Sequence, residues 1–154
     1  MSLKLDIPGR DRLVLDYLLL DQNGTLSTKG ELIPEVSERL NQLSSSLSIH
    51  ILSGDSFGTL AMIATDLGVD ARRVDTGADK RAFADQLGGF RCVAIGNGYN
   101  DVAMLDGCAI SIAIIGQEGA SSCATLAADI VCCSILDALD LLLDTRMLVS
   151  TLKA

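Results

Sequence analysis

Short, continuously apolar runs alternate along the chain with longer segments whose apolar residues recur at helical spacing. Leu13–Leu20 is such a run, and it empties into Asp21-Gln22-Asn23-Gly24-Thr25 as a strand does into a turn. Pro34 predicts a helix beginning there and running over Glu35–Leu47, with Leu40, Leu43 and Leu47 on one face. Ile49–Leu52 reads as a second strand, ending at Ser53-Gly54-Asp55. A helix over Phe57–Leu67 follows, closed by Gly68. Arg72–Val74 is a short strand and Asp79–Leu87 a helix. Cys92–Ile95 is a strand that stops at Gly96-Asn97-Gly98, with a helix over Asn100–Leu105 behind it. Ala109–Ile115 and Asp129–Cys132 complete the strands, with a helix over Gly119–Ala127 between them. Ser134 caps a last helix whose apolar face is Ile135, Leu136, Leu139, Leu142 and Leu143.

Strands that alternate with helices predict an α/β fold: a mostly parallel sheet with helices on both faces. Continuous rather than alternating hydrophobicity in the strands agrees, because both faces of such a sheet are covered. Ligands bind such sheets beyond the carboxyl ends of the strands. The polar clusters Asp21–Thr25, Ser53–Asp55 and Asn97–Asp101 all fall at predicted strand ends.

The length of 154 residues fits one domain, 1–154, without disulfide or metal staples. Hydrophobic residues are 49% and aromatic residues only 3%, so the core is expected to be aliphatic. The net charge of -8, with no Lys/Arg-rich run, argues against nucleic-acid partners. Five cysteines without a CxxC pair, and a single histidine, His50, predict buried free thiols in a reducing compartment rather than a zinc site. No secretory leader is visible, and no stretch approaches the roughly 18 apolar residues of a membrane span. A cytoplasmic protein without membrane contact is the expectation.

Each polar cluster admits a chemical and a structural reading. A carboxylate at a strand tip, such as Asp21, can attack phosphorus or hold Mg²⁺, with the backbone N–H groups of Gly24 and Thr25 receiving phosphate oxygens. Asn23-Gly24 is also sufficient as a plain turn. Ser53-Gly54 presents a hydroxyl to an anion or caps the following helix. Lys80 can neutralise a transferring phosphoryl group or lie solvated on the surface. Gly96-Asn97-Gly98-Tyr99-Asn100-Asp101 offers oxygen ligands of the kind Mg²⁺ takes, or only a strand-to-helix turn.

Taken in order, a strand-end DxxGT, a strand-end SG, a helical Lys and a strand-end GNGxND resemble the four motifs of the haloacid dehalogenase superfamily. The resemblance spans Leu13 to about Leu143. Gly96–Leu105 and Asp21–Leu26 carry it, and it points to the small soluble relatives of the P-type ATPase phosphorylation domain. It implies a three-layer, Rossmann-like fold. It also implies that Asp21 is a nucleophile forming an aspartyl phosphate, and that Mg²⁺ is held by Asp21, the Asn23 carbonyl, Asn97 and Asp101. Gly24, Thr25, Ser53, Gly54 and Asn100 would contact the phosphorylated substrate, and Lys80 would steady nucleophile and phosphoryl group.

Two positions depart from that pattern. Asn23 stands where the superfamily's phosphatases carry an aspartate as general acid/base, a loss worth about 10²–10⁴-fold in rate. Asn97 replaces a second aspartate and removes charge from the metal shell. The intervals after Asp21 and between Ser53 and Lys80 are too short for a cap domain, so the site is expected to be open, or covered by a second copy of the chain. The leading expectation is a Mg²⁺-dependent phosphohydrolase or phosphotransferase, slow where protonation of the leaving group is needed. A weak or inactive relative that binds phosphate, nucleotide or a protein partner is the alternative, and an oligomeric structural or regulatory domain the third.

Overall fold

The computed structural model describes residues 1–154. In chain order the elements are β1 (Leu3–Leu5), β2 (Leu13–Leu15), β3 (Tyr17–Asp21), β4 (Ser27–Thr28), β5 (Glu31–Leu32), α1 (Val36–Leu43), β6 (Ser48–Ser53), α2 (Leu60–Leu67), β7 (Asp70–Arg73) and α3 (Gly77–Leu87). There follow β8 (Cys92–Gly96), α4 (Val102–Gly107), β9 (Ile110–Ile114), α5 (Ser122–Ala127), β10 (Ile130–Cys132), α6 (Ile135–Leu143) and α7 (Thr145–Leu152). Single 3₁₀ turns at Gly89–Arg91 and Tyr99–Asp101 precede β8 and α4.

Six strands form one sheet in the order β10-β9-β8-β3-β6-β7, and every pairing in it is parallel. The chain builds outward from β3 to β6 and β7, then returns to the other side of β3 for β8, β9 and β10. The reversal of winding therefore falls beside β3, where such sheets open a crevice at their carboxyl end. Side chains alternate between the two faces. Leu18, Leu20, Ile51, Ile95 and Ile112 pack with α1, α2, α6 and α7, while Leu19, Leu52 and Ala94 pack with α3, α4 and α5. The result is the expected three-layer α/β fold with helices on both faces.

No domain is inserted where a cap would sit. Between β3 and α1 there is only the two-residue hairpin β4–β5, and between Ser53 and Lys80 only α2 and β7.

Several boundaries differ from expectation for local reasons. The run Leu13–Leu20 is two strands. It breaks at Asp16, whose carboxylate accepts from Arg91 Nε at 2.6 Å, and β2 pairs antiparallel with β1 rather than joining the main sheet. Glu35 adopts a left-handed φ of 72°, so α1 starts at Val36. It ends at Leu43, because the Ser44 and Ser45 hydroxyls bond back to the Asn41 and Gln42 carbonyls and compete with further helix. α2 starts at Leu60 rather than Phe57, after Asp55 and Gly58 at positive φ. Gly119, also at positive φ, delays α5 to Ser122. Helix α7 was not anticipated. Asp144 caps it by accepting from the Arg146 N–H, and Leu148 and Leu152 seal it onto the core.

The cysteines correct a second expectation. Cys92 and Cys132 are buried, but Cys108 is only partly covered, and Cys123 and Cys133 are exposed. All five are free thiols. No helix is long and apolar enough to cross a membrane.

Candidate active site

Period-two alternation puts Asp21 on the same face as Leu19, the side packed by α3. In α3, Lys80 lies one turn before Phe83 and Ala84, both buried against that face, so its side chain is carried inward. A capping box at Thr76 and Asp79 fixes the start of α3 and therefore the height of Lys80. Lys80 is 1% exposed, which an aliphatic-core lysine does not tolerate without counter-charges. It has two: Nζ donates to Asp21 Oδ1 at 2.8 Å and to Asp101 Oδ1 at 2.7 Å.

Asp101 is wholly enclosed and fully engaged. Its Oδ2 accepts the N–H groups of Asn97, at 3.0 Å, and Gly98, at 2.9 Å. This folds the Gly96–Asp101 loop back onto its own carboxylate. Glycine at 96 is required, because a Cβ there would lie 2.5 Å from Asp101 Cγ. With one oxygen on Lys80 and the other on two amides, Asp101 positions Lys80 and the loop.

Asp21 Oδ2 accepts from Thr25 Oγ1 at 3.1 Å, and Asn97 Oδ1 lies 3.4 Å from the same hydroxyl. The orientation of the Asn97 amide follows from its other end, where Nδ2 donates to the Gly119 carbonyl at 3.0 Å. Gly24, at φ 80°, passes directly beneath it; a Cβ there would lie 2.3 Å from Asn97 Nδ2. One carboxylate oxygen and one amide oxygen thus converge beside Thr25. These are hard oxygen donors of the type that suits Mg²⁺. No third carboxylate, imidazole or thiolate joins Asp21 and Asp101.

The electrostatics are unbalanced: one ammonium serves two carboxylates. Burial, reinforced by the Asp101 charge, outweighs Lys80 and Thr25 and raises the Asp21 carboxyl to about 7. For Lys80, burial works against the charged form, but Asp21 and Asp101 overcome it and hold the ammonium above its ordinary value. The two directions are compatible.

Ser53 and its neighbours form a separate network on the opposite face of the sheet end. Ser53 Oγ donates to Gln22 Oε1 at 2.7 Å and accepts the Asp55 N–H at 2.9 Å. Gln22 Nε2 donates in turn to Thr59 Oγ1, and Thr59 Oγ1 to the Gly30 carbonyl. Asp55 accepts the Leu60 N–H at 2.9 Å at the start of α2. Gln22, absent from the sequence expectations, is completely buried and joins the Asp21 turn to the Ser53 strand end. A glutamine inside a five-residue polar cluster offered no signal of its own.

The structure therefore brings Asp21, Gly24, Thr25, Lys80, Asn97 and Asp101 together around one carboxylate. Ser53 reaches that group only through Gln22, and Gly54 and Asn100 are exposed. Asn23 Oδ1 turns back toward Ser27 Oγ, 3.5 Å away.

No known family profile matches the chain. An uncharacterized protein of Methanocaldococcus jannaschii is 48% identical over 61 residues, 40% of this chain and 66% of that protein, just under two thirds of its length. Solved structures extend the likeness over the fold. A Streptomyces avermitilis protein ascribed to the haloacid dehalogenase hydrolases superposes with TM-score 0.64 at 19% identity, over 77% of this chain and 76% of its own. The 3-deoxy-D-manno-octulosonate 8-phosphate phosphatase of Moraxella catarrhalis, solved with a magnesium ion, a phosphate ion and a KDO molecule, gives TM-score 0.67 at 16% identity over 90% of this chain and 94% of its own. The catalytic domain of the CPx-ATPase CopB-B gives 0.59 at 25% identity over 80% of this chain and 46% of its own. The chain thus has the capless haloacid dehalogenase fold, shared with sugar-phosphate phosphatases and with the catalytic domain of a P-type ATPase.

Proposed function

We propose that the protein is a phosphohydrolase or phosphotransferase that uses Asp21 as nucleophile, with Mg²⁺ as cofactor. The observation that carries this reading is Lys80, buried between Asp21 and Asp101 at the carboxyl end of the central strand. A structural protein gains nothing from burying two carboxylates on one ammonium, since replacing such a group with apolar residues is often neutral or stabilising. A phosphoryl-transfer site gains a preorganised positive charge where negative charge develops.

Asp21 Oδ2, Asn97 Oδ1 and the Asn23 carbonyl are the oxygens that would hold the cation, with Asp101 contributing through water because its own oxygens are engaged. When bound, Mg²⁺ neutralises phosphoryl oxygens and keeps Asp21 ionised. A carboxylate oxygen of Asp21 then forms the bond to phosphorus, and the bond to the leaving oxygen breaks with its electron pair. Lys80 Nζ faces the charge on the equatorial oxygens, whereas the Gly24 and Thr25 N–H groups, expected to receive phosphate, donate instead to the Ser27 and Gln22 carbonyls. Release of the phosphoryl group to water, or to another acceptor, regenerates Asp21.

Asn23 supplies no proton at either stage. Substrates whose leaving group departs unprotonated are therefore favoured. The test is a panel of phosphate esters and acyl phosphates with Mg²⁺, following released phosphate. Turnover that disappears in Asp21→Asn and with chelator is expected; turnover that survives Asp21→Asn overturns the reading. The amide at position 23, its Oδ1 turned toward Ser27 Oγ, favours a second reading, a phosphate-binding relative with little turnover, which binds the same compounds without releasing phosphate.

A further inference from the structure

A cavity of about 790 Å³ opens beside Asp21, between the β4–β5 hairpin and the chain that follows β9 and β10. Gly24 and Thr25 form part of its wall, and Thr25 Oγ1 is the hydroxyl that donates to Asp21 Oδ2. Thr25 thus links the cavity wall to the Asp21 carboxylate. Its size is that of a site for a small organic molecule. Its remaining walls set the aliphatic side chains of Leu32, Ile33, Ile115 and Leu136 beside the polar Thr28, Gln117 and Ser134. Only Lys29 and Glu31 bring charge, and they cancel. The hairpin is tied across the opening where the Lys29 N–H donates to Glu118 Oε2 at 3.2 Å.

We infer that this cavity is the leaving-group pocket, and that the substrates are phosphate monoesters of apolar aromatic alcohols. The inference rests on the Asp21 reading and narrows it. Two independent features converge on the class. The aliphatic side chains of the walls offer a broad apolar body an escape from water. Asn23 cannot protonate a leaving oxygen, which handicaps alkyl esters more than aryl esters, because a phenolate is a weaker base and a better leaving group than an alkoxide. In the reaction, Asp21 bonds to phosphorus while the phosphorus–oxygen bond of the ester breaks. The aryl oxygen leaves as the phenolate and takes its proton from bulk water.

The experiment compares phenyl phosphate, 2-naphthyl phosphate and acetyl phosphate, in the native protein and in Ile115→Glu. The two aryl esters have leaving groups of similar acidity, so their ratio reports pocket contacts. Acetyl phosphate leaves readily but is too small to use the pocket. The expected result is a kcat/KM for 2-naphthyl phosphate about tenfold or more above that for phenyl phosphate, in line with the selectivity of apolar pockets. In Ile115→Glu the naphthyl-to-acetyl ratio should fall by a similar factor. Ile115 is 48% exposed, so the substitution leaves the fold in place, and turnover of acetyl phosphate reports that directly. Acetyl phosphate turnover with equal aryl rates, or with ratios indifferent to Ile115→Glu, overturns the pocket and leaves the Asp21 reading standing. No Asp21-dependent reaction with any of the three overturns both.

Discussion

Lys80 Nζ lies 2.8 Å from Asp21 Oδ1 in a part of the molecule where the lysine is 1% exposed. Removing the cation leaves Asp21 and Asp101 buried with no compensating charge. Lys80→Met is therefore expected to lower stability by roughly 3–5 kcal/mol, the usual result of breaking a buried pair. Urea denaturation at neutral pH measures it. A loss below about 1 kcal/mol would mean that the carboxylates relax to solvent and that the ion triad is not held as described.

Asp21 has the opposite effect on stability. Its carboxyl is raised to about 7 by burial and by Asp101, against an ordinary value of 3.8. A raised carboxyl binds its proton more tightly when folded, so its contribution is present in full below the unfolded value and is lost as pH rises through the folded one. In metal-free protein, Asp21→Asn should exceed the native protein in stability at about pH 7.5 by roughly 2–4 kcal/mol, and by clearly less near pH 5. Denaturation curves in chelator at the two pH values decide it. A variant less stable than the native protein at both would contradict the assigned direction.

In the proposed site, Asn97 would limit the affinity for Mg²⁺. Asn97→Asp adds one negative charge beside Asp21 and gives up the hydrogen bond to the Gly119 carbonyl. Mg²⁺ should bind about tenfold or more tightly, since hard cations favour charged oxygen ligands, while metal-free stability drops by about 1 kcal/mol. Calorimetric titration with Mg²⁺ reads the first and thermal unfolding in chelator the second. Unchanged Mg²⁺ affinity would place the cation elsewhere.

Asn23→Asp would supply a proton carrier two residues after Asp21, the proposed nucleophile. Turnover of esters with poor leaving groups should rise by about 10²–10⁴-fold, and that of acetyl phosphate much less, because its leaving group needs no proton. Rates for an alkyl ester and for acetyl phosphate in the two proteins make the comparison. An equal change in both would show that position 23 does not serve as acid or base.

Much of this arrangement is legible in the chain because parallel sheets place function at strand ends. Asp21, Ser53 and Asn97–Asp101 each follow an apolar run, and the structure puts all three at one edge. Lys80 was visible only as the third member of a pattern; its burial depends on Phe83 and Ala84 facing the sheet, which helical spacing alone does not orient. Asp101 read equally well as a metal ligand. Its commitment to Lys80 and two backbone amides arises from the 3₁₀ turn at Tyr99–Asp101, a local detail no periodicity reports. Gln22 stayed hidden for a similar reason, since its partners Ser53 and Thr59 are distant in sequence. The break at Asp16 was masked by apolar residues on both sides. Helix α7 was within reach, as Asp144 is an N-cap residue and Leu148 and Leu152 have helical spacing.

Nucleophilic catalysis by Asp21 requires a covalent bond from its carboxylate to phosphorus. Incubating the protein with Mg²⁺ and acetyl phosphate, quenching in acid and recording the intact mass tests it most directly. A species heavier by one phosphoryl group is expected, mapped to Asp21, lost on alkaline treatment and absent from Asp21→Asn. Its accumulation should be pronounced, because Asn23 cannot activate the water that clears it. Phosphate released from acetyl phosphate with no adduct on Asp21, at an equal rate in Asp21→Asn, would contradict the account.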